Sequence, residues 1–186
     1  MRLILTGILF LFSSISISAK DFMRIEISGQ VEGVVEIELL SDLAPNHVIQ
    51  IKKLVSDKNY DGVAFHRVIE GFMAQTGDVE FGNSSNDKFN LSRAGTGGSS
   101  LPNIQAEFSD VNHGRGTLSM ARAAPPDSAN SQFFICFQPA PFLDRQYTVF
   151  GKVIEGMEFV DKIKRGDQNN NGAVTDPDKI ISFKSQ

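Results

Sequence analysis

The sequence predicts a mainly β domain, a closed or sandwich-like antiparallel sheet accompanied by two helices. Three observations carry this. Short apolar/polar alternations with the period of a strand recur along the chain, only two segments have helical spacing, and turn residues punctuate the intervals. In chain order, "FMRIEISG" and "VVEIELL" alternate with period two about "SGQVEG" and read as a β-hairpin. "SDLAPNHVIQIKKLVSD" follows as a helix, with Pro45 near its start and a stripe of Val48, Ile49, Lys52, Leu54 and Val55. "NYDGVAFHRVI" and "FMAQTGD" return to strand character. Residues 81–100 are rich in Gly, Ser and Asn and form a long surface loop. Strand-like runs recur at "NIQAEF", "GTLSMARA", "SQFFICF", "YTVFGKVI" and "KIISFK". Between the last two, "EGMEFVDKIKRG" sets Met157, Val160 and Ile163 on one helical face, with Gly166 as a stop signal. Closing such strands into a barrel removes exposed edges, and two amphipathic helices can plug its open ends.

The 186 residues suit one domain with a sizeable core, and 22% charged against 41% hydrophobic residues is a globular composition. A net charge of −4 gives no electrostatic reason to expect nucleic acid. Residues 1–19 differ from the rest. Arg2, the apolar run "LILTGILFLF" and the small-residue stretch "SSISISAK" have the layout of a secretory signal peptide cut near Ala19. The apolar core is about half of the roughly 20 residues a membrane span needs, so membrane attachment is expected only through an uncleaved signal. The expectation is an exported domain over residues 20–186, periplasmic in a bacterium and secreted otherwise. A monomer is expected. The single cysteine, Cys136 in "QFFICF", cannot form an intramolecular disulfide and reads as a small buried hydrophobe.

Cofactor and metal signatures are weak. "GTGGSS" lacks the last glycine of a dinucleotide fingerprint, and His47, His66 and His113 are scattered over different elements, so neither cofactor nor metal is expected. "DQNNNGAVTDPD" places Asp167, Asn169, Asn171, Gly172 and Asp178 in the pattern of a calcium loop, but Pro177 and a strand follow where a helix should start. A polar turn is the better reading.

The stretch "FHRVIEGFMAQTGD" carries one arginine among apolar neighbours. If Glu70, Gly71 and Phe72 form a three-residue hairpin loop, Arg67 lies opposite Gln75 on one sheet face. A two-residue loop puts them on opposite faces, and the spacing alone does not choose.

This stretch closely resembles the signature segment of the cyclophilins, the peptidyl-prolyl cis–trans isomerases. So do "GTLSMARA", "NSQFFICF", "LDRQYTVFGKVIEGMEFVDKI" and "APNHVIQIKKL", in the family's order and over nearly everything from Phe22 onward. The exported N-terminus and "SMARAAPPDSANSQFFI" look most like bacterial periplasmic members. The resemblance implies an eight-stranded antiparallel barrel capped by two helices, with the site on its outer surface, and it supports the three-residue turn. It also implies a cofactor-free isomerase acting on proline-containing peptides and on exported proteins as they fold. A proline-binding chaperone or assembly module with incidental isomerase activity is the alternative.

By resemblance Arg67 is the catalytic residue and Gln75 holds it in position. Phe72, Met73, Phe134 and Leu143 form an apolar cup for the proline ring, and Tyr147 stands where other members carry histidine. Ala121, Arg122 and Gln132 match positions that bind the peptide backbone, Arg122 in place of a more usual asparagine; His66 adjoins the arginine. Phe142 replaces a tryptophan whose N–H can donate to cyclosporin, so weak cyclosporin binding is expected. In "SQFFICF" the alternation sends Phe133 and Phe134 to opposite faces, one to the core and one to the groove.

Overall fold

β1 (Asp21–Ser28) and β2 (Gly33–Leu39) form the expected hairpin, with Ile25 opposite Val35 and every second residue buried. The computed structural model describes residues 21–186, so the leader expected at 1–19 lies outside the described residues. After α1 (Pro45–Ser56) come β3 (Arg67–Ile69), β4 (Met73–Thr76), β5 (Thr117–Met120), β6 (Phe133–Cys136), β7 (Val149–Glu155), α2 (Met157–Val160) and β8 (Lys179–Ser185). The eight strands form one antiparallel sheet in the order β3-β4-β6-β5-β7-β2-β1-β8. It curls into a half-barrel, and the segment just ahead of β3 bonds across to the start of β8. There Gly62 N–H donates to Ile180 O at 2.7 Å, Ile180 N–H to Val63 O at 2.9 Å and Phe65 N–H to Asp178 O at 2.9 Å.

The curl gives the sheet an inside and an outside, and strand alternation assigns residues to each. Met23, Ile25, Val35, Ile37, Leu118, Phe133, Ile135 and Phe150 fill the interior. Phe134 and Cys136, their neighbours on β6, belong to a separate outer cluster with Met73, Ala140 and Leu143. "SQFFICF" is therefore read on both faces, as its alternation predicts. Burial pushes the Cys136 thiol up to about 12, which suits packing and not reactivity.

Three local expectations change. On α1 the buried face is His47, Val48, Ile51, Leu54 and Val55, while Ile49 is 66% exposed and Lys52 pairs with Asp21 at 2.9 Å. "NIQAEF" is not a strand: only Ile104 makes a bridge, to Ala129. Glu107 turns instead to α1, whose N-cap residue, Ala44, has no capping side chain. Its carboxylate accepts from the Asn46 and His47 amides at 3.1 Å each. α2 is a single turn, because beyond Val160 the chain tightens into bonds three residues apart, Lys162 N–H to Phe159 O and Ile163 N–H to Val160 O. Gly166 does not stop this helix; its amide donates to Val68 O at 2.9 Å.

Candidate active site

The β3–β4 turn decides which face Arg67 occupies. Ile69 pairs with Met73 and Arg67 with Gln75, the three-residue register. Gly71 makes it possible, sitting at φ +70°, where a side chain would be strained. The register continues across the sheet: Gln75 opposes Phe134, and Phe134 opposes Ser119. Arg67, Gln75 and Phe134 thus form one row on the outer face, and a slip of one residue in the β3–β4 pairing would send Arg67 inward.

Above this row lies a cleft of about 430 Å³, lined by Arg67, Phe72, Met73, Gln75, Ala121, Arg122, Phe134, Phe142, Leu143, Gln146 and Tyr147. Phe134 is its floor. Tyr147 meets Phe134 edge-on at 6.0 Å between ring centres, and Phe72 stands 5.3 Å from Phe142 at the rim. Below the floor His113 stacks on Phe134 at 6.3 Å, with its Nδ1 2.9 Å from Asp144 and its Nε2 2.9 Å from Ser119 Oγ. This serine–histidine–aspartate arrangement, not apparent in the sequence, braces the cup. Ser119 is fully buried and has no access to a substrate.

Neutral groups hold Arg67 on two sides. Nη1 donates to Gln75 Oε1 at 3.0 Å and lies 3.9 Å from Met73 Sδ. Nε donates to Asn171 O at 3.0 Å, and Nη2 to Asn171 Oδ1 at 3.1 Å. Gln75 is itself oriented, because its Nε2 donates to Gln132 Oε1 at 2.9 Å and Gln132 Nε2 donates to Gly97 O at 2.8 Å. The chain ends on a carbonyl that can only accept, so each amide has one permitted orientation and Gln75 presents its oxygen to Arg67. Partial burial pulls the Arg67 pKa below its ordinary value, with Tyr147 opposing, and the guanidinium stays charged at neutral pH. No Asp or Glu lines the cleft. A fixed, unneutralised cation beside an apolar cup can stabilise developing negative charge or a lone pair on a ligand seated there.

A family model described as "Cyclophilin type peptidyl-prolyl cis-trans isomerase/CLD" matches residues 22–185. The chain belongs to the cyclophilin family. A probable peptidyl-prolyl cis–trans isomerase of Brucella suis is 58% identical over 164 residues, covering 88% of this chain and 83% of that protein. Peptidyl-prolyl cis–trans isomerase B of Bacillus subtilis is 40% identical over 134 residues, covering 72% and 85%. The crystal structure of a Cryptosporidium parvum cyclophilin superposes with a TM-score of 0.74 at 26% identity, covering 90% and 98%. This cyclophilin is a peptidyl-prolyl cis–trans isomerase, of a family that binds proline-containing peptides.

Most of the expected site residues meet around the cup. Gln132 is in the adjoining cleft, about 430 Å³, which shares Gln75, Ala121 and Arg122 with the cup and is otherwise lined by residues such as Gly95, Gly97, Ser99 and Asn130. Asp78 anchors this cleft's loop by accepting from the Gly95 and Gly97 amides at 2.7 and 2.9 Å. His66 is not in the cup. It faces a third cavity behind Arg67 and is only 6% exposed, and burial lowers its pKa to about 4 against the pull of Asp78. Asn171 is the partner that sequence reasoning missed as such: it appeared only as a member of the calcium pattern. That pattern does not converge, since Asp178 accepts from Val31 and Lys164 amides and Asp167 from Asn169 N–H. Among the described residues no cluster of three or more metal-ligating side chains occurs.

Proposed function

We propose that Arg67 is the group that speeds prolyl isomerisation here, and that the enzyme assists the folding of exported proteins. An X-Pro bond prefers trans only slightly, yet its rotation crosses a barrier of about 18–20 kcal/mol set by amide resonance. No covalent bond breaks, so no nucleophile is needed. In the twisted state the amide nitrogen regains its lone pair. With proline in the cup of Phe72, Met73, Phe134 and Leu143, the Arg67 guanidinium is placed to donate to that nitrogen or to the neighbouring carbonyl. A donor that bonds the twisted form better than the planar ones lowers the barrier, about tenfold for each 1.4 kcal/mol. A charge-assisted hydrogen bond, about 1.5–3 kcal/mol, supplies about one to two of these decades. The observation that carries the reading is the two-sided clamp, Gln75 on Nη1 and Asn171 on Nε and Nη2.

Export rests on the signal-like layout of residues 1–19, directly ahead of the first strand at Asp21. Its one cysteine is buried, so the folded domain offers no accessible thiol to oxidation. The test has two parts. Fractionation of cells with N-terminal sequencing should find a mature chain beginning near Lys20 outside the cytoplasm; an intact N-terminus in the cytoplasm would refute export. Refolding of a disulfide-free protein limited by proline isomerisation should be accelerated by the wild type and not by Arg67→Ala. Equal acceleration by both would refute the role given to Arg67, and binding of the unfolded chain with no acceleration by either would favour a peptide-binding chaperone in which isomerisation is incidental.

A further inference from the structure

Arg122 is the second cation of the groove. Its Nε and Nη2 donate to Gln146 O at 3.3 and 3.1 Å, and its Nη1 to the Ala123 and Ala124 carbonyls at 2.9 Å each. The guanidinium also lies over the Tyr147 ring, 4.5 Å from its centre. These contacts fix the charge in space without cancelling it, since every partner is a neutral carbonyl or a ring face. Arg122 lines both the proline cup and the adjoining cleft, and neither contains an Asp or Glu. The groove is thus a cationic island, Arg67 and Arg122 together, on a chain of net charge −4. On the far side of Arg67 the sign reverses, because the third cavity, about 860 Å³, carries Asp167 and Asp176.

We infer that Arg122 is a specificity-determining residue and that this isomerase prefers proline sites with a carboxylate side chain within two residues of the proline, on the side that lies along the cleft between Arg122 and Gln132. The inference rests on the isomerase activity and on the placement of proline in the cup. A peptide carboxylate in this cleft meets the Arg122 charge and no carboxylate on the cleft wall, since Asp78 lies behind the loop with an oxygen taken by the Gly95 and Gly97 amides, whereas a lysine there is repelled. The opposite flank of the peptide runs towards Asp167 and Asp176 and does not share the preference. For partly exposed charges the effect is modest, about fivefold between Glu and Lys at the favoured position, and it shrinks in high salt.

Exchange NMR on short peptides with Glu, Gln or Lys at each of the two positions before and after one proline tests this, with an alanine-flanked peptide as reference. The wild type should turn over Glu peptides faster than Lys peptides on one side only. Arg122→Gln should cut that ratio at least twofold, and Arg122→Lys, which keeps the charge and loses the fork, should preserve it. The ratio is internal to each variant, so a general loss of activity from a disturbed cup does not affect it. Equal turnover at every position, a Glu preference on both sides, or a full ratio in Arg122→Gln would overturn the inference. No acceleration of the reference peptide would instead overturn the isomerase reading beneath it.

Discussion

Replacing Asn171 by glycine tests whether the arginine must be held. Asn171 adopts φ 51°, ψ 30°, a left-handed conformation glycine takes freely, so the loop backbone is expected to persist. The Asn171 carbonyl that accepts from Arg67 Nε is retained. What disappears is Oδ1, which accepts from Nη2 at 3.1 Å and from Nε at 3.3 Å. These bonds are exposed, so the loss falls in the ordinary range of about 0.5–1.5 kcal/mol, or about 2- to 12-fold in kcat/KM. Gln75→Ala removes the half-buried, charge-assisted partner of Nη1, about 1.5–3 kcal/mol, or about 10- to 150-fold. Both residues restrain one guanidinium, so the double variant should depart from additivity. Exchange NMR on an X-Pro peptide, with peptide affinity measured in parallel, separates the effects: kcat should fall while the dissociation constant moves less. If Asn171→Gly and Gln75→Ala both exchange the peptide at the wild-type rate, the clamp plays no part in catalysis.

Other expected outcomes concern inhibitor binding and stability. Phe142 is 62% exposed beside the cup and has no donor, so cyclosporin should inhibit weakly, and Phe142→Trp should tighten it by about 2- to 12-fold if the indole N–H finds an acceptor; nanomolar inhibition of the wild type in a titration would contradict this. His66 has an ordinary pKa of 6.5 that burial lowers to about 4, so the unfolded chain takes up its proton first as pH falls. The stability it contributes is complete above pH 6.5 and lost between there and about 4, roughly 3 kcal/mol in all. Urea unfolding at several pH values should show a shallower acid decline for His66→Gln, and parallel curves would count against the assignment. Glu107→Ala removes the acceptor of the Asn46 and His47 amides and of His47 Nδ1 at 2.6 Å, and should cost about 2 kcal/mol, a fall of about 4–8 °C in Tm; an unchanged Tm would show that water caps the helix equally well.

Strand alternation made the core legible, because period-two burial is local: Met23, Ile25 and Ile27 could be assigned inward from seven consecutive residues. The same rule separated Phe133 from Phe134. The Arg67–Gln75 pairing needed the turn length, which the spacing left open and the family resemblance supplied. What the sequence could not show are contacts between distant segments. Asn171 reaches Arg67 because the loop after α2 runs along the outer edge of β3, where Val68 N–H donates to Gly172 O at 2.8 Å. Gly172 is needed there, since a Cβ would come within 2.5 Å of Ile69. The capping of α1 by Glu107 spans about sixty residues and leaves no periodic trace. It explains why "NIQAEF", with strand-like composition, is not a strand.

The central claim is that one positioned cation lowers the rotational barrier of a prolyl amide bound beside it. Exchange NMR on an Ala-Pro peptide with the wild type and Arg67→Ala measures this directly. The account predicts that catalysed exchange falls at least tenfold while the peptide's dissociation constant changes by no more than a few fold. Exchange at the wild-type rate in Arg67→Ala, or a loss explained entirely by weaker binding, would contradict it.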